Sequence, residues 1–192
     1  MPQNRVEAIV MGGSSGALEA LSTLLPALPG QCAIPVAIVL HLPPARPSHL
    51  VEVLAARTVL PVREAEDKEP LAAGTVYVAP PNYHLLVERT RTFALSVDEA
   101  VLFSRPAIDV LFESAADAYG EGLAGIILSG ASADGARGLS AVKRRGGIAI
   151  VQSPEGSAAP EMPRAALSMV EADHVLSLVD LASLLGQLAT GR

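Results

Sequence analysis

The sequence predicts a doubly wound α/β fold: a mainly parallel sheet with helices on both faces and a small β-hairpin. Three observations carry this. Short β-branched runs alternate with helix-like segments. Half of the 192 residues are hydrophobic but only 3% are aromatic, so the core must be built from Val, Ile, Leu and Ala, the usual filling of a sheet covered on both faces. Polar clusters follow three of the apolar runs, as loops at one edge of a parallel sheet do.

The runs Val6–Met11, Ile34–Leu40, Val76–Val78, Leu123–Leu128 and Gly147–Val151 read as buried strands. Ala17–Leu25, Pro47–Arg57, Pro106–Tyr119 and Ala136–Arg144 read as helices. In Pro106–Tyr119 the apolar residues Ile108, Leu111, Phe112 and Ala115 recur at helical spacing. Tyr83–Val97 alternates like a hairpin with its turn near Arg89–Thr92, and Leu176–Leu188 reads as a final helix. The order strand, helix, strand favours right-handed crossovers within one domain, residues 1–192.

Composition excludes several function classes. The formal net charge is -6 and no dense Lys/Arg stripe occurs, which argues against nucleic acid as a partner. The cluster Lys143-Arg144-Arg145 reads as the last turn of a helix, where cations complement the dipole. Cys32 is the only cysteine, so no intramolecular disulfide forms, and no Cys/His spacing suggests a metal. Mean hydropathy is +0.39, yet no run approaches the roughly 18 apolar residues of a membrane span. The N-terminal apolar run is too short for a signal peptide. A cytoplasmic protein without membrane insertion is expected.

The three strand-end clusters hold the candidate chemistry. Gly12-Gly13-Ser14-Ser15-Gly16 fits G-x-S-x-G between a strand and a helix, which exposes a serine hydroxyl beside helix N-terminal amides. Ser14 equally suits an N-cap. The loop is not a dinucleotide or Walker loop: serines stand where the second glycine of G-x-G-x-x-G would fall, and no Gly-Lys-Ser/Thr occurs. His41 follows the second apolar run and precedes two prolines; by itself it reads as a buried histidine satisfied by backbone. Asp134 either caps the helix starting near Ala136 or orients His41. His49, His84 and His174 are assigned surface or structural roles, with His84 nearest the site. Because strands of a parallel sheet end on one side, Ser14, His41 and Asp134 can meet. Their chain order, Ser-His-Asp, differs from the Ser-acid-His order of α/β-hydrolases.

The same residues resemble a known family, the bacterial chemotaxis protein-glutamate methylesterases. Ile9 to Leu21 (IVMGGSSGALEAL) is similar to the family's G-x-S-[ST]-G-G-x-x-A-L segment, and His41 to Pro44 (HLPP) to H-[ML]-P. Glu64 to Asp67 (EAED) and Val76 to His84 (VYVAPPNYH) resemble two further stretches. Arg105 to Phe112 (RPAIDVLF) is similar to R-P-S-x-D-x-L-F, Leu128 to Gly135 (LSGASADG) to L-[ST]-G-M-G-x-D-G, and Met162 to Arg164 (MPR) to M-P-x. The resemblance spans about residues 6 to 188.

It implies Ser14 as nucleophile, His41 as general base and acid, and Asp134 as the orienting carboxylate, with no metal and no cofactor. Backbone amides near Ser15, Gly16, Ala131 and Ser132 are the implied oxyanion and substrate contacts. The implied substrate is a glutamate γ-methyl ester on the cytoplasmic helical domain of a methyl-accepting chemoreceptor, with receptor glutamines deamidated by some members. Four departures stand out. Ala131 replaces a methionine and should open one wall, Ser132 replaces a glycine, Ser104 replaces a histidine and Ala17 a second glycine. Family members usually carry an N-terminal phosphoacceptor receiver domain, and the sequence reads as the catalytic domain without it. A methylesterase-like binding module without turnover, or an esterase for another acyl ester, are the competing expectations. Oligomeric state is not legible.

Overall fold

The structure is a computed structural model and describes residues 5–41 and 49–190. Seven strands form one parallel sheet: β1 (Ala8–Gly13), β2 (Val36–Leu40), β3 (Val62–Glu64), β4 (Val76–Val78), β7 (Leu123–Ile127), β8 (Ile148–Gln152) and β9 (His174–Leu176). Their order across the sheet is β3-β4-β2-β1-β7-β8-β9. Two further strands, β5 (His84–Val87) and β6 (Phe93–Ser96), make the antiparallel hairpin. The helices are α1 (Ala17–Leu24), α2 (Leu50–Ala55), α3 (Ile108–Tyr119), α4 (Ala136–Arg144), α5 (Glu161–Met169) and α6 (Leu178–Ala189).

Alternation along the central strands divides the core between two faces. Ile9 and Met11 of β1, with Val36 and Ile38 of β2, pack with Leu21 and Leu24 of α1 and Leu181 and Leu185 of α6. Val10, Ala37, Val39 and Ala149 face the other way, against Ile108, Leu111, Phe112 and Ala115 of α3 and Leu139 and Val142 of α4. The small residues Ala8, Ala37 and Ala149 leave room for α3 to lie close on the sheet. Each fully buried Leu, Ile or Phe contributes about 1.5–3 kcal/mol relative to exposure. Gly12 serves the same close approach: a Cβ there would stand 2.2 Å from Ile108 Cγ2.

The chain runs from β1 outward to β2 and β4, then returns to place β7 on the other side of β1. The sheet therefore reverses its winding between β1 and β7, the switch point where ligands collect beyond the carboxyl ends of parallel strands. The loops after β1, β2 and β7 are the three clusters singled out in the sequence.

The structure corrects several expected boundaries. The first strand is Ala8–Gly13 rather than Val6–Met11, so Gly12 and Gly13 lie inside it. Of the expected helix Pro47–Arg57, residues 47 and 48 lie outside the described residues, and the helix is Leu50–Ala55. The third helix starts at Ile108, after a cis Arg105–Pro106 peptide. His174 opens strand β9, and the final helix begins at Leu178 behind a Ser177 cap that accepts from Asp180 N. Strand β3 and helix α5 were not anticipated. Lys143 and Arg144 do occupy the last turn of α4, with Lys143 paired to Asp173 and Arg145 to Asp117. Among the described residues no helix is long and apolar enough to cross a membrane.

Candidate active site

Main-chain hydrogen bonds across the switch point set the positions of the site residues. Gly13 O accepts from His41 N (3.1 Å), and Ser14 N donates to Ser129 O (2.9 Å). The ends of β2, β1 and β7 are thus laced together in that order, with Ser14 in the middle. Ser14 does not cap α1: the N-cap is Gly16, in the left-handed region at φ 79°, and no side chain caps that helix. A glycine meets that conformation without the penalty a Cβ brings. Ser14 is half-buried and Ser15 exposed.

Asp134 is 0% exposed and fully engaged. Its Oδ2 accepts from His41 Nε2 (2.7 Å) and from Ile108 N (2.6 Å), and its Oδ1 accepts from Asp109 N (2.9 Å). The cap expected on α4 is therefore absent; Asp134 instead occupies the N-terminus of α3, where free amides and the helix dipole favour a carboxylate. Asp109 returns the arrangement, its Oδ1 accepting from Gly135 N (2.9 Å) and Gly138 N (2.7 Å) at the start of α4. The two helices thus exchange carboxylates. Burial pushes the Asp109 carboxyl above the usual carboxylate range, opposed by the Gly138 amide and reinforced by the Asp134 charge. Asp109 Oδ2 is buried without a hydrogen-bond partner among the described residues.

An ionised carboxylate only accepts, so the Nε2 of His41 carries the proton and Nδ1 presents its lone pair. That is the opposite ring assignment from the serine-protease template, in which the aspartate holds Nδ1. Ser104 Oγ lies 3.4 Å from Nδ1, a long contact. No hydrogen bond joins Ser14 Oγ to His41 among the described residues.

The other expected residues lie around this centre. Main-chain N–H groups of Ser15, Gly16, Ala131 and Ser132 donate to no acceptor among the described residues. Ala131 is exposed. Ser132 braces its loop through Oγ, which accepts from Asp134 N (3.1 Å), a donor that glycine would leave unmet. His41, Asn82, Phe103, Ser104 and Pro106 line a cleft of about 270 Å³. Residues 42–44, part of the His-Leu-Pro-Pro segment, lie outside the described residues. No cluster of His, Cys, Asp or Glu among the described residues is placed to hold a metal ion.

Sequence reasoning missed the supports. Ser129, buried, donates through Oγ to Ser15 O (2.7 Å) and accepts from Ala159 N (2.9 Å), while its own N donates to the buried Gln152 side chain (2.9 Å). His84, by contrast, is assigned a structural role near the site from sequence: it is buried, bonded at Nε2 to Glu99 O (2.9 Å), and accepts at Nδ1 from Ala107 N (3.2 Å), one residue before the Ile108 amide that holds Asp134. A polar residue within an otherwise apolar stretch was the available signal for Asp109; nothing local distinguishes Ser129 from a solvated loop serine.

Comparison with known proteins places this geometry among relatives. A family model described as CheB methylesterase matches residues 9–185. A Leptospira interrogans protein (serovar copenhageni), provisionally named a protein-glutamate methylesterase/protein-glutamine glutaminase, is 47% identical over 178 residues, covering 93% of this chain and 92% of that protein. A protein-glutamate methylesterase/protein-glutamine glutaminase of Archaeoglobus fulgidus is 36% identical over 177 residues, 91% of this chain and 51% of that protein. The chain thus spans nearly all of one relative and about half of another. The crystal structure of the Thermotoga maritima methylesterase catalytic domain superposes with a TM-score of 0.90 at 31% identity, covering 95% of this chain and 98% of that one.

Proposed function

We propose a function from one premise: the chain belongs to the CheB methylesterase family. It is a serine hydrolase that cleaves glutamate γ-methyl esters on the cytoplasmic helical domain of chemoreceptors, releasing methanol, and that deamidates receptor glutamines by the same route. The observation that carries this reading is the His41–Asp134 hydrogen bond of 2.7 Å, with Asp134 buried and the lone pair of His41 Nδ1 turned away from it.

In this mechanism Ser14 Oγ attacks the ester carbonyl as His41 Nδ1 takes its proton. Ser14 replaces Ser104 against Nδ1 as substrate enters. The oxyanion of the tetrahedral intermediate lies against the unspent N–H groups of Ser15 and Gly16 or of Ala131 and Ser132, where fixed donors stabilise developing charge. Asp134 stabilises the imidazolium without taking its proton. Methanol leaves with the proton from His41, and the γ-glutamyl ester on Ser14 is then hydrolysed by water that His41 activates, yielding glutamate. For a glutamine, ammonia leaves in place of methanol. No step calls for a cofactor.

The test is methanol release from a methylated chemoreceptor fragment. The parent releases methanol, and Ser14→Ala lowers the rate roughly a thousandfold or more while melting at an unchanged temperature. A Ser14→Ala variant as fast as the parent would falsify the mechanism.

A further inference from the structure

The turn after Val101 is the part of the cleft that the chemistry leaves unexplained. Val101 and Ser104 exchange two main-chain hydrogen bonds (3.1 and 2.9 Å), closing a two-residue turn on Leu102 and Phe103. Both residues have positive φ, 47° and 65°, a region that glycine and asparagine enter readily and that bulky side chains enter at a steric cost. Neither is repaid by burial among the described residues: Leu102 is 51% exposed and Phe103 102% exposed. The turn is nevertheless firmly held, because Arg105 donates to Val97 O (2.9 Å) and Asp98 O (3.1 Å). Val97, tied in by that contact, is also exposed. Phe103 lines the same cleft as His41. A large aromatic side chain is thus presented to solvent, on a turn strained by its own residues, at the mouth of the candidate active site.

We infer that Phe103, supported by Leu102, is the apolar anchor that seats the helical surface of the substrate protein on the cleft. This rests on the function proposed above and extends it to recognition. The geometry of the substrate requires such contact. A glutamyl γ-carbonyl stands only three bonds from its Cα, about 4 Å, so the helix itself must come down onto the rim before the ester reaches His41. Residues three or four positions away on that helix lie about 5–6 Å from the esterified one, within reach of a side chain projecting from the rim. Local strain at a ligand-facing turn is the usual place for an unfavourable conformation to persist. A small free ester has no neighbouring turn and makes no such contact.

The test compares kcat/KM for a methylated chemoreceptor cytoplasmic fragment with that for p-nitrophenyl acetate, in the full chain and its Phe103→Ala and Phe103→Leu variants. Expected is a fall of tenfold or more in the receptor-to-small-ester ratio for Phe103→Ala, carried by KM for the receptor, with Phe103→Leu recovering most of the ratio. A ratio within twofold of the parent overturns the inference, as does an equal loss on both substrates, which would make Phe103 part of the cleft's own scaffold. A parent that hydrolyses neither ester overturns the hydrolase reading and this inference with it; a parent active on both, with an unchanged ratio in the variant, overturns the inference alone.

Discussion

The two walls of the cleft are built on opposite terms. On one side His41 lines the cleft, backed by the wholly buried Asp134, both of whose oxygens are held, by the imidazole and by two α3 amides. On the other, Phe103 is wholly exposed on a turn whose backbone conformation its side chain disfavours. The first wall is over-determined from within: moving Asp134 would disturb the starts of two helices and the His41 ring together. The second takes its value from outside the chain. The difference teaches where changes in this molecule should act, on turnover and stability at the inner wall and on selectivity at the rim.

The inner wall offers the sharpest way to break this contrast. Asp134→Asn keeps the shape but presents an amide to Nε2, favouring the wrong tautomer, and should cost kcat about the ten-thousandfold that this change costs a serine-protease triad. Asp134→Ala leaves three buried donors unmet and should lower stability by about 3 kcal/mol or more in denaturant titrations. If both variants kept parental turnover, the inner wall would be scaffold alone.

Asp109 sharpens the comparison through pH. Asp109→Ala strips the α4 amides of their acceptor and should cost about 2–3 kcal/mol, whereas Asp109→Asn should cost about 1 kcal/mol or less. Because the Asp109 carboxyl is raised in the folded protein, the stability of its protonated form is present at low pH and lost as pH rises from the ordinary carboxyl value through the raised one. Asp109→Asn lacks that loss, so its stability relative to the parent should improve as pH rises above the ordinary carboxyl value of about 4. An unchanging difference across that range would contradict the assignment.

Smaller effects follow outward. Ser132→Ala removes the bond to Asp134 N and should cost about 1 kcal/mol with a modest loss of turnover. Lys143→Ala, breaking the partly exposed pair with Asp173 at the far end of α4, should change stability by less than about 1 kcal/mol and turnover not at all.

The central strands were legible in the sequence because a parallel sheet buried on both faces reads as unbroken apolar runs. Strands β3 and β9 escaped because each is three residues long and lies at a sheet edge, with exposed positions that break the run. Helix α5 was hidden by its prolines, yet Pro163 stands in the first turn, where the missing N–H has no helical partner to lose. The three candidate catalytic residues could be named from strand-end position and motif. Their supports could not: Asp134 reads as a cap for the helix that follows it, and only tertiary packing puts it at the start of α3 instead. The exchange with Asp109 joins residues 25 positions apart in sequence, a separation at which local pattern carries no signal.

The central claim is that His41, held through Nε2 by Asp134, activates Ser14. Labelling with a fluorophosphonate probe, followed by peptide mass spectrometry, tests it most directly. A single adduct on Ser14, lost in His41→Ala, is the predicted result. An adduct on Ser104, the hydroxyl that lies 3.4 Å from Nδ1 in this structure, or no adduct at all, contradicts it.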